Sequence, residues 1–200
     1  MIDMKSSLSS NQILLLVMPS AEYNEVLVDA MKQLSGNICY VTSNKTFDSL
    51  KETFKKSKVN IDNVVFIDSI SKTLKKTPDQ ADSVYYVSSP GALTELSLVI
   101  NKFLRHEFDY LIFDSVTNLA VYQKKNMTSK FISSLADKIK KTKTKAIFYA
   151  LDSVEQAWVI DHAGMVVDKV IKSGGVDGVK GEGKVIKKRL SKKKKEEKEV

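Results

Sequence analysis

The residues best placed to do chemistry follow the most apolar run of the sequence. Ile13–Met18 reads as a buried strand. The turn after it, Met18-Pro19-Ser20-Ala21-Glu22-Tyr23-Asn24-Glu25, leads into a helical stripe of Val26, Leu27, Ala30, Met31 and Leu34. In an α/β protein the first strand-to-helix turn is where a phosphate chain would be cradled. That chemistry needs glycines, so that backbone N–H groups can wrap the phosphates, then a lysine for charge and Ser or Thr for magnesium. This turn has no glycine and no lysine, and Glu22 and Glu25 would repel a triphosphate. Its length suits the loop and its residues do not.

A second candidate is Tyr110-Leu111-Ile112-Phe113-Asp114-Ser115, an apolar strand ending in a carboxylate. In a phosphate-loop NTPase such an aspartate supports Mg²⁺. The alternative is that Asp114 or Ser115 caps the segment Val116–Tyr122, as Asp and Ser do at helix starts. Phe66-Ile67-Asp68-Ser69-Ile70-Ser71 echoes Ile112-Phe113-Asp114-Ser115-Val116-Thr117, and the same capping explanation covers both. His106 and His162 are the only histidines and neither has a third ligand at matched spacing, so no metal site is expected. Cys39 lies in an apolar run and reads as a small hydrophobe. There is no Gly-x-Ser-x-Gly elbow to support hydrolase chemistry.

These residues are positioned by an alternation of strand and helix patterns. Apolar, β-rich runs occur at Ile13–Met18, Asn37–Thr42, Asn63–Asp68, Ser83–Ser88, Tyr110–Asp114, Lys145–Ala150 and Gly164–Ile171. Most lack polar alternation, as strands covered on both faces do. Between them lie the stripe already described, a second of Phe47, Leu50 and Phe54, and a third through Leu93, Leu96, Ile100 and Leu104. Ser89-Pro90 reads as the cap and first residue of that third helix. A fourth helix is expected over about 128–141, and a short one over Val154–Ile160. The alternation predicts an α/β fold with a mainly parallel central sheet flanked by helices.

Residues 11–172 resemble the RecA-type ATPase core, and most closely its KaiC-like branch common in archaea. The resemblance lies in block order. Ile13–Val17 matches the phosphate-loop strand, Asn37–Thr42 the strand before the paired carboxylates, and Thr46–Phe54 with Val59–Asp62 the following helix and turn. Val64–Asp68, Phe108–Ser115 with its Asp-Ser ending, Lys145–Ala150 and His162–Asp168 match the later blocks. The resemblance implies a three-layer RecA-like fold and side-by-side assembly. It also implies which residues would have bound and hydrolysed nucleotide. Asn24 and Glu25 stand at the Lys-Thr positions, and Asn44 and Lys45 at the paired carboxylates, where neither amide nor ammonium can act as a general base. Asp114 alone survives of the usual set. A pseudo-ATPase without cofactor is therefore expected, acting as a regulatory or scaffolding partner of a second copy or of an active relative. An enzyme rebuilt around Asp114, Asn44 and Glu22 is the contrary reading.

Composition limits the remaining classes. The longest apolar run has six residues, far below the ~20 of a membrane-spanning helix, and one cysteine excludes an intrachain disulfide. With no secretory leader pattern, a cytoplasmic protein is expected. The formal charge of +8 is uneven: 173–200 carries +5 of it. That segment has five of the eight glycines, then Lys187, Lys188, Arg189 and Lys192, Lys193, Lys194 and Lys195. It reads as a flexible tail, either simply solvated and solubilising, or the means by which a nucleic-acid accessory protein would contact phosphate backbones without base stacking. Residues 1–10 also read as loose. Trp158 reads as a core residue or an interface anchor, and Tyr122 as an interface residue.

Overall fold

Apolar runs without polar alternation become the inner strands of one sheet. The computed structural model describes residues 2–106 and 108–173. Its elements are α1 (Met4–Ser10), β1 (Ile13–Met18), a 3-10 turn (Ser20–Glu22), α2 (Tyr23–Gln33), β2 (Ile38–Thr42), α3 (Phe47–Lys56), β3 (Val64–Asp68), α4 (Ser71–Leu74), β4 (Gln80–Ala81), β5 (Val84–Tyr86), α5 (Leu93–Leu104), β6 (Tyr110–Asp114), α6 (Leu119–Tyr122), α7 (Lys125–Ile139), β7 (Lys145–Leu151), α8 (Ala157–Val166) and β8 (Lys169–Lys172). The sheet order is β4-β5-β3-β2-β6-β7-β1-β8, and every pairing is parallel except β4 with β5.

Alternation along the strands divides the core into two layers. Leu14, Leu16, Tyr40, Phe66, Ile112 and Tyr149 face α1, α2 and α3. Leu15, Val17, Val41, Leu111, Phe113 and Phe148 face α5, α7 and α8. The result is the expected three-layer α/β arrangement. β6 and β7 lie between β1 and β2, so the turn after β1 meets the carboxyl ends of three other strands. No described helix is long and apolar enough to cross a membrane.

Three local expectations are corrected. Residues 1–10 are not loose along their length: Met4–Ser10 is helical, capped by Asp3, whose carboxylate accepts the Ser6 N–H at 2.9 Å. Met4 and Leu8, one turn apart, bury themselves against the α2 layer. The run Gly164–Ile171 is not one strand, because α8 continues to Val166 and β8 begins at Lys169. Asp168 makes the break: its Oδ2 accepts the Gln12 and Ile13 N–H groups at 2.9 and 2.8 Å, pinning the chain beside β1. Ser89 and Pro90 do not open α5; its N-cap is Ala92, and Glu95 in its first turn accepts the Ser88 N–H. The segment 174–200, including Lys187–Arg189 and Lys192–Lys195, lies outside the described residues.

Candidate functional site

The corner at the end of β1 is closed by its own residues. After buried Met18, Pro19 and the 3-10 turn Ser20–Glu22 lead directly into α2. The Glu22 N–H donates to the Pro19 carbonyl at 3.0 Å, and the Tyr23 N–H to the Ser20 carbonyl. Two amides of the turn are thus satisfied within it. Ser20, Ala21, Asn24 and Glu25 are exposed and Glu22 is partly so. Glu25 lies in the first turn of α2, where an acid complements the helix dipole.

Tyr23 points inward from this turn and is 5% exposed. Its hydroxyl donates to Asp114 Oδ2, and the Tyr40 hydroxyl donates to the same oxygen at 2.6 Å. Tyr149 pairs in register with Asp114 on the neighbouring strand, so β2, β6, β7 and the start of α2 meet around one carboxylate. Asp114 Oδ1 and Tyr149 Oη are buried without a hydrogen-bond partner among the described residues. Burial pushes the Asp114 carboxyl up to about 6, against the pull of the two phenols and of Lys45. Burial, reinforced by the Asp114 charge, drives the Tyr23 and Tyr40 phenols far above their ordinary range, so both remain donors.

Asn44 and Lys45, just past β2, form a rim over the plug. Lys45 Nζ donates to Asn24 Oδ1 at 2.6 Å and sits 4.9 Å from the Tyr23 ring centroid. Asn24 and Lys45 therefore meet as an amide and an ammonium above the Tyr23 ring.

Asp114 does not cap the following segment: α6 starts from Asn118 with no side-chain cap, and Asp114 accepts from tyrosines instead. Ser115 is no cap either, its hydroxyl pairing with Thr117 at 3.1 Å. The peptide bond between Asp114 and Ser115 is cis. The echo segment behaves differently, since Asp68 caps α4 through the Ile70 and Ser71 N–H groups. Tyr40 and Tyr149 are the site residues the sequence reading passed over. Their one signal was a hydroxyl carried inside an otherwise apolar strand.

The other candidates lie elsewhere. His106 is exposed beyond α5, while His162 Nε2 contacts Ser133 Oγ and the Ser129 carbonyl at 3.0 and 2.9 Å. Cys39 is buried, and burial raises its thiol well above the ordinary range. Trp158 is half-buried against the α5–α7 layer with Lys125 Nζ 5.5 Å over its ring, whereas Tyr122 is 44% exposed. Among the described residues no cluster of three or more His, Cys, Asp or Glu is placed to hold a metal.

Residues 3–182 match a protein family described as a family of unknown function, DUF7090. The chain belongs to DUF7090. No curated protein matches this DUF7090 sequence. Among solved structures it is similar to the crystal structure of the KaiC-like protein PH0186 from the hyperthermophilic archaeon Pyrococcus horikoshii OT3. The TM-score is 0.55 at 9% identity, over 80% of this chain and 70% of that one. At that identity the likeness concerns the fold. The DUF7090 chain has a KaiC-like RecA-type α/β fold, with a mostly parallel eight-stranded sheet and flanking helices.

Proposed function

We propose that this chain is a non-catalytic RecA/KaiC-like domain that works as a regulatory or scaffolding partner. The observation that carries the reading is the Tyr23 plug. A buried phenol from the phosphate-loop position donates to the aspartate that would otherwise support magnesium. The turn amides bond to carbonyls of their own turn, and acids line the helix start. Binding a nucleotide would require expelling Tyr23, breaking those turn bonds and bringing phosphates beside Glu22 and Glu25, with no lysine on the turn to compensate. Titration calorimetry with ATP and Mg²⁺ is expected to give no heat of binding up to millimolar nucleotide. Micromolar affinity would overturn the reading.

The association surface we favour lies past the carboxyl ends of β6 and β7. Val121 and Tyr122 on α6 are 65% and 44% exposed, and Met127 and Leu98 line one shallow groove between α7 and α5. Exposed apolar side chains on α5, α6 and α7 point to a protein partner, here a second copy or a nucleotide-competent relative. Sedimentation of the full chain at about 100 µM is expected to show a dimer or larger species, reduced to monomer by Val121→Glu with Tyr122→Glu. A monomer in the wild type, with no co-sedimenting RecA-type relative, would remove this surface from the reading.

A further inference from the structure

Splitting off the segment 173–200 leaves a body with a net charge of only +3, but that charge is not spread evenly. Residues 124–145, comprising α7 and its flanks, carry eight lysines against the single acid Asp137, a net of +7. The rest of the body is therefore net acidic, and one side of the domain is strongly basic. α7 packs its apolar stripe, Phe131, Ile132, Leu135 and Ile139, into the core, which turns its lysines outward.

The cations line recesses rather than a ridge. A cleft of about 710 Å³ between the end of α5 and the α7–β7 loop is bordered by Arg105, Lys140, Lys141 and Lys143, with Phe108 and Tyr110 at its wall. Among the described residues its one carboxylate, Asp109, accepts the Asn37 N–H at 2.8 Å. Lys141 also borders a second recess of about 500 Å³ along α7, lined by Lys138 and Lys130 and, among the described residues, by the single carboxylate Asp137. Lys141 borders both recesses, and the cations from Lys130 to Lys141 mark a path of about 16 Å at 1.5 Å per residue. Ion pairs among the described residues engage Lys56, Lys72, Lys75 and Lys140, which leaves Arg105, Lys130, Lys141 and Lys143 without one.

We infer that this path binds the phosphodiester backbone of single-stranded nucleic acid without reading its sequence. Cations repeated along a groove match a chain of phosphates better than one anion. Reading a duplex in the major groove needs a helix or ribbon that protrudes, and here the cations sit in a recess. The half-buried Phe108 and Tyr110 offer the aromatic surface on which bases of a single strand stack, which an acidic protein would not need. The site is independent of the sealed corner at Asp114, at the opposite ends of the strands.

Fluorescence anisotropy of the full chain with labelled 20-mer oligothymidylate and oligouridylate tests the assignment. Binding is expected at 50 mM salt, weakening about 50-fold by 200 mM if four phosphates are neutralised. Lys141→Glu with Lys143→Glu and Arg105→Glu is expected to weaken it at least tenfold with an unchanged thermal transition. The neutral Lys141→Gln, Lys143→Gln pair gives an intermediate loss and a shallower salt slope. Replacing Lys192–Lys195 by Gln in the full chain is expected to have the smaller effect. The assignment is overturned if the wild type does not bind, or if the α7-side variants bind as the wild type does. It is also overturned if the Lys192–Lys195 substitutions alone abolish binding, or if labelled polyglutamate binds as tightly as the oligonucleotides.

Discussion

Asp68→Ala is expected to destabilise the domain by about 3–5 kcal/mol, the largest loss from any single side chain outside the apolar core. Asp68 is fully buried at the end of β3. Its Oδ2 accepts the Phe47 N–H at 2.7 Å and the Ser71 hydroxyl at 2.6 Å, while its Oδ1 accepts the Ile70 and Ser71 N–H groups at 2.7 and 2.9 Å. Phe47 is the first residue of α3 and Ser71 the first of α4. One carboxylate therefore satisfies orphan donors at two helix starts, where the dipoles also favour negative charge. Alanine leaves those donors buried and unpaired. Against a typical domain stability of about 5–15 kcal/mol, that removes a large share of the total. Urea denaturation of both proteins measures it, and an unchanged slope would confirm that the native state, not its compactness, has been altered. Asp68→Asn keeps one acceptor oxygen and turns an amide toward the remaining donors, so it should fall between wild type and alanine. A loss below 1 kcal/mol for alanine would mean that water replaces the carboxylate and that the capping account is wrong.

What the sequence reveals of this architecture depends on whether a signal is local. β1, β2, β3, β6 and β7 are continuous apolar runs, and a strand buried on both faces writes itself that way. The α8–β8 boundary was hidden because Met165, Val166 and Val167 suit either element. It is decided by Asp168 reaching back to Gln12 and Ile13, a contact across 155 and more residues. Met4 and Leu8 already had helical spacing, but the surrounding serines and lysine masked a helix only seven residues long. At the site, the missing glycines and lysine were legible residue by residue. The convergence of Tyr23, Tyr40 and Tyr149 on Asp114 was not, because it follows from β6 lying between β2 and β7. Identical Asp-Ser endings at Asp68 and Asp114 consequently serve different ends: one meets helix amides, the other phenols. The basic side of the domain was concealed by a near-zero sum, since acids elsewhere in the body offset the lysines of α7.

Asp114→Asn is expected to stabilise the protein at neutral pH, by about 1–3 kcal/mol, and to do so only above the acid range. The Asp114 carboxyl is pushed up to about 6 in the folded chain, chiefly by burial. In the unfolded chain it ionises near the ordinary value of about 3.9. Between about pH 4 and 6 the unfolded state has released this proton while the folded state still holds it. The folded state then binds more protons, and its stability falls as pH rises through that window. Above it, the penalty for carrying a buried charge is present in full. Below pH 4 both states are protonated and the penalty vanishes. Asparagine resembles the protonated acid, with a carbonyl that accepts from the Tyr23 and Tyr40 hydroxyls. Its amide falls where Asp114 Oδ1 has no partner and where the Tyr149 hydroxyl has none either. The difference in unfolding free energy between variant and wild type, measured from pH 3.5 to 8, should rise through the window and then level off. Tyr23→Phe gives the complementary sign: it removes a donor to the charged form, so it should destabilise more at pH 8 than at pH 4. If the Asp114→Asn difference is flat with pH, Asp114 ionises in the fold as it does in water. The Tyr23 plug would then be wet, and the corner at the end of β1 would again be open to a ligand.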